Sequence, residues 1–92
     1  MGAKARAGAP RALNRPRPVH VRAGDGRQGR EGEPLTVSGE PVEIVRETWL
    51  MEDRWWTERP LRRRYWEIVS AKGANLVVYH DLVSGCWYAQ VA

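Results

Sequence analysis

The chain has 92 residues, room for one domain, with a formal net charge of +4 that is unevenly spread. Residues 1–34 carry eight basic groups against three acidic, whereas residues 35–92 carry seven against eight. The lone cysteine, Cys86, excludes an intrachain disulfide and fits a reducing cytoplasm, and no run approaches the roughly 20 apolar residues of a membrane helix.

Residues 1–15 are mostly Ala, Gly, Arg and Pro with a single leucine, Leu13. Such a segment buries too little apolar surface to offset its ordering entropy, so a disordered basic arm is expected. Its charge suits a polyanion such as nucleic acid; the plainer reading is a solubilising tail. Pro10, Pro16 and Pro18 oppose the amphipathic helix of a targeting peptide. Arg17 to Arg22 alternates polar and apolar at Val19 and Val21, which predicts a short strand, and its prolines place it at an edge. Residues 23–33 read as a loop. Residues 16–34 are thus an edge strand and loop, or a linker throughout.

An all-β domain is assigned to residues 35–92, where all five tryptophans and all three tyrosines lie. Leu35 to Val37 is a short strand ending in the turn Ser38-Gly39-Glu40-Pro41. Val42 to Leu50 is a longer strand, and the adjacent apolars Ile44 and Val45 mark a bulge. Helix over Glu43 to Trp55 is the competing reading, but β-branched residues and Trp49 favour strand. Met51 to Pro60 is a charged connection. Leu61 to Ser70 is a strand with Tyr65 and Val69 on one face and Trp66 and Ile68 on the other. Ala71 to Ala74 turns into a strand from Asn75 to Asp81. Leu82 to Gly85 turns again into a last strand, Cys86 to Val91. Short glycine-containing turns predict a small antiparallel meander, as a curled sheet or half-open barrel. Dimerisation is a further way to bury an apolar sheet face.

The segment from Asp53 to Trp66 interleaves arginines with aromatics. Arginine binds phosphate and stacks, and tryptophan offers a flat face to unpaired bases. Trp55, Trp56, Arg62, Arg63 and Arg64 are therefore the candidate contacts for nucleic acid, single strands favoured, or for a protein partner. The plainer reading puts the tryptophans in the core and the arginines on a solvated face. Trp49, Tyr65, Trp66 and Trp87 are assigned to packing and Gly85 to its turn. His80-Asp81 is one pair where a metal needs three or four converging ligands. Cys86 lies six residues from His80, but buried structural cysteines outnumber nucleophilic ones. No glycine loop or nucleophile elbow is present, so neither a metal, a cofactor nor a catalytic residue is expected.

Trp49, Asp53 with Trp55-Trp56, Pro60 with Arg63-Arg64-Tyr65, and the run Tyr79 to Tyr88 carry a resemblance to the DUF6504 family of small bacterial domains. Similar sequences stand alone or lie near the C-terminus of ImuB-type, polymerase-like mutagenesis proteins. The likeness covers about residues 42–91, and Pro16 to Val21 resembles the family's opening strand. Cys86 stands where the pattern leads one to expect arginine, which removes one phosphate contact. The resemblance implies a place in damage-inducible mutagenesis, where ImuB-type proteins link a replicative-type polymerase to the sliding clamp. The expectation is a non-enzymatic, cytoplasmic binding module for DNA or a repair protein. The rival is a protein-interaction or dimerisation domain without nucleic-acid affinity.

Overall fold

The computed structural model describes residues 15–53 and 56–91. The expected arm, apart from the exposed Arg15, lies outside the described residues, as does Trp55. The described residues form strands and connections with no helix: β1 (Arg17–Pro18), β2 (Val21–Ala23), β3 (Pro34–Val37), β4 (Glu40–Asp53), β5 (Leu61–Ser70), β6 (Asn75–Asp81) and β7 (Trp87–Val91). They make one curled antiparallel half-barrel in the order β1-β7-β6-β5-β4-β3-β2. The expected all-β curled sheet is what the chain forms.

The curl follows from two local features. Glu43 and Arg46 are extra residues in β4 relative to β5, where the register shifts between Val42 and Ile44 and between Val45 and Glu47. Two bulges therefore flank the Ile44-Val45 pair, and bulges sharpen strand twist and bend. The second feature is the opening strand. Residues 17–18 pair with β7 at one edge and residues 21–23 with β3 at the other. Between them the Val19 N–H donates to the Trp87 carbonyl (3.1 Å) and the Ser38 N–H to the His20 carbonyl (2.7 Å). One short run thus joins both edges of the sheet, which is why two strands replace the single predicted one. The linker reading of this run gives way to the edge-strand reading.

Alternation along β5 sets the two faces. Trp66, Ile68 and Ser70 are buried on the inner face, where Trp66, Ile68, Val37, Val78 and Ala89 form the core. Val19, Val21, Val42, Val45, Leu76 and Trp87 pack around them, and the Trp66 and Trp87 rings stack at 5.3 Å. Burying an aliphatic side chain such as Ile68 or Val78 contributes about 1.5–3 kcal/mol. Most strand limits match expectation. β4 starts two residues earlier, at Glu40, because Glu40 and Pro41 of the expected turn pair with Val37 and Thr36, and it runs three residues further, to Asp53, because Leu61 to Arg64 continue its pairing. The last strand starts at Trp87 rather than Cys86. Among the described residues no helix is long and apolar enough to cross a membrane.

Candidate binding surface at the hairpin end

The same alternation divides the three arginines. Arg62 and Arg64 share the inner-face parity of Trp66, whereas Arg63 shares the outer-face parity of Tyr65. They are not one charged patch. Arg62, about half exposed, donates from Nε to the Glu52 carboxylate (2.7 Å) opposite it. Arg64 is half-buried and lies opposite His80, whose ring stacks on Trp87 at 4.2 Å. Arg63 lies over the Tyr79 ring (4.6 Å to its centroid) and donates to the Tyr65 hydroxyl (3.2 Å). Its Nε is buried without a hydrogen-bond partner.

Below Arg63 the outer face carries a row of rings, one per strand from β4 to β7. Trp49 stacks on Tyr65 (5.2 Å), Tyr65 meets Tyr79 (4.9 Å), and Tyr79 stacks on Tyr88 (5.1 Å). Each pair is directly opposite in register. Such cross-strand pairs contribute about 0.5–1.5 kcal/mol each beyond area burial. Stacked on one another, the inner rings offer edges rather than open faces to a base, and Tyr79 is only 4% exposed. Burial pushes the Tyr79 hydroxyl above the ordinary tyrosine range, outweighing the opposite pull of Arg63. This row was not foreseen as a unit, although Trp49 and Tyr65 were assigned to packing. The signal was present in the odd-numbered parity of Trp49, Tyr65 and Tyr79.

Trp56, in the β4–β5 connection, is 66% exposed. The β6–β7 turn lies at the same end of the sheet, because the Leu82 N–H donates to the Arg62 carbonyl (2.9 Å). Leu82 and Val83 on that turn are exposed, as are Leu50 and Met51 near the end of β4. The hairpin end therefore gathers Trp56, two turn aliphatics and Arg62. The turn was expected to be purely structural, so Leu82 and Val83 were missed.

The turn itself is firmly built. The Asp81 carboxylate accepts from the N–H groups of Val83 (2.9 Å) and Ser84 (3.0 Å), and the Gly85 N–H donates to the Asp81 carbonyl (2.7 Å). Burial pulls the Asp81 carboxyl upward, but the Ser84 and Val83 N–H groups and the Arg63 charge hold it below the usual carboxylate range. Gly85, as assigned, takes the left-handed conformation (φ 84°) that closes the turn. His80 faces Trp87 on the inner side and Asp81 faces Arg63 on the outer side, so the pair diverges. No cluster of three metal-ligating side chains occurs among the described residues. Cys86 is exposed, against the expectation of a buried thiol, because it sits in the turn just before β7 begins. At the far end of the sheet, a hollow of about 230 Å³ is lined by Val19, Val37, Leu76 and Ala89, with Arg17 and Glu40 beside them.

Scans against protein-family models, curated proteins and solved structures find no match to this chain.

Proposed function

We propose that the chain is a non-enzymatic binding module that docks a protein partner through its hairpin end. The resemblance to DUF6504 supports looking for that partner among the proteins of bacterial mutagenic DNA repair, in the cytoplasm. The observation that carries the reading is the exposure of Trp56 at the end where Leu82 and Val83 are also exposed. Interface hot spots favour tryptophan and arginine at the centre of a desolvated patch. The charges agree with this choice: Arg62 is matched by Glu52, and Arg63 is engaged with Tyr65 and Tyr79, so neither is a ready phosphate clamp.

A second reading, single-stranded nucleic acid, is favoured by the exposed arginines Arg15, Arg17, Arg22, Arg27 and Arg30, which continue the basic character of residues 1–14. In it the exposed Trp56 stacks on a base and these cations track the backbone.

The test is titration of the full chain against two probes, a purified ImuB-type protein and a fluorescent single-stranded oligonucleotide. Docking at the hairpin end predicts that Trp56→Ala weakens the protein complex by about tenfold or more, a hot-spot loss. DNA binding that quenches tryptophan, falls steeply with salt and is lost in Trp56→Ala would transfer the conclusion to the second reading. Affinity for either probe that ignores Trp56 would remove this surface.

A further inference from the structure

We propose that the outer edge of β4 is a self-association edge, along which two copies pair antiparallel about a two-fold axis at Trp49. This inference stands apart from the docking reading, because it uses a different side of the hairpin.

The edge is long and unpaired, and over Val45 to Thr48 a groove of about 420 Å³ lies between it and Arg30 and Glu33 of the β2–β3 connection. β3 pairs with β4 only at Glu40 and Pro41, and β5 takes the other side from Val42 to Asp53. Among the described residues no strand pairs with β4 on the side away from β5 beyond Pro41. An unpaired edge is a template for another strand unless it is blunted by charge, proline, a bulge or a covering loop; the bulges of β4, at Glu43 and Arg46, leave Glu47 to Asp53 regular with Arg46 at its margin. Here Thr48, Trp49, Leu50 and Met51 run without charge or proline, and Leu50 and Met51 are exposed on opposite faces. The charged residues stand at the ends of this stretch, as Arg46-Glu47 and Glu52-Asp53.

Their arrangement selects the occupant and the register. A two-fold axis normal to the sheet maps each face onto itself, so it must pass through a residue rather than between two. Centred on Trp49, the pairing places Arg46 opposite Glu52 of the second copy, twice by symmetry, with Thr48 opposite Leu50 and Glu47 opposite Met51. Centred on Leu50, it would place Glu47 opposite Asp53. Centred on Thr48, it would place Glu43 opposite Asp53. Like charges directly opposite destabilise, and opposite charges stabilise. A strand of seven residues, from Arg46 to Glu52, is thereby complementary to itself. The aromatic row agrees, since it ends on this edge strand at Trp49. Pairing at Trp49 would carry it across the axis into the same row of the second copy. A symmetric, isologous contact of this kind closes after two copies and leaves no open array. It would also point the two hairpin ends in opposite directions, leaving both accessible.

Sedimentation equilibrium of the full chain across a broad concentration range tests the proposal, with near-ultraviolet circular dichroism confirming that each variant is folded. The wild-type chain is expected to reach twice its monomer mass. Arg46→Glu should weaken the dimer by about tenfold or more, as expected when a paired interfacial charge is reversed. Adding Glu52→Arg to Arg46→Glu should restore it, because the pair across the axis is then exchanged rather than lost, while the half-exposed Arg62–Glu52 pair within each copy, a small contribution, is given up. A wild-type chain that stays monomeric, a dimer indifferent to Arg46→Glu, or a double variant no tighter than the single would each overturn the pairing.

Discussion

Neighbouring arginines on β5 have unequal tasks, and their substitutions should separate them. Arg63 covers the buried Tyr79 ring and holds the Tyr65 hydroxyl. A part-buried cation–π contact is worth about 1 kcal/mol, and a net hydrogen bond about 1 kcal/mol. Its unpartnered Nε offsets some of this. Arg63→Ala should therefore lower stability by about 1–2 kcal/mol in urea unfolding at constant slope. Arg62→Ala, which loses a half-exposed ion pair to Glu52, should cost under about 0.5 kcal/mol. Equal costs would contradict the division of faces. The inward aromatics were legible in the sequence, because Trp66 and Ile68 alternate with Tyr65 and Val69. The arginine run was not, since three like residues in succession carry no sign of which one will meet a tyrosine on the next strand. Cys86 was misplaced for a related reason: whether a residue at a turn boundary is buried depends on where the next strand's pairing begins.

At the level of elements, the turns carry much of the specification. The β3–β4 hairpin has a two-residue turn, Ser38-Gly39, between the paired Val37 and Glu40, with φ of 52° and 83°. Positive φ at both central residues is the type I′ geometry, whose twist matches that of the flanking strands. Gly39 adopts it without cost, whereas Ser38 is the one described non-glycine residue with positive φ. Asparagine tolerates this conformation better, so Ser38→Asn should stabilise the fold by several tenths of a kcal/mol, up to about 1. A rise in the urea midpoint would show this; a fall would mean that the Ser38 side chain makes a contribution outweighing its backbone strain. The limits of β5 and β6 were legible because Pro60 and the Gly73 turn punctuate them. The bulges in β4 were legible only as a broken alternation at Ile44 and Val45. That one clue stood for two extra residues, Glu43 and Arg46, whose placement is settled by the partner strand. The far end of β4 was hidden for the same reason, since its charges suit a loop until β5 supplies the pairing.

The whole molecule depends on a segment that is weak in sequence and central in topology. Val19 and Val21 pack on the core, and residues 17–23 hydrogen-bond to β7 at one edge and β3 at the other. Nothing local could reveal this, because the partners lie about a dozen residues away on one side and some seventy on the other, and prolines mark only an edge. Consequently, two truncations that both remove basic charge should behave very differently. Residues 1–14 have too few apolar side chains to add much to a core. Removing them should change stability by no more than about 0.5 kcal/mol. Removing residues 1–34 strips β1, β2 and Pro34, uncovers Val37 and Trp87, and leaves β3 and β7 with unpaired backbone along one side each. The expected loss is several kcal/mol, comparable with the roughly 5 kcal/mol that a small domain has in total. The shorter chain should then lose its cooperative transition, followed by tryptophan fluorescence in urea and by near-ultraviolet circular dichroism. If residues 35–92 unfold cooperatively at the midpoint of the full chain, the opening strand is an accessory rather than the closure of the sheet. If they do not, only the cut after residue 14 can separate the electrostatic reach of the basic segment from the binding surface of a folded domain.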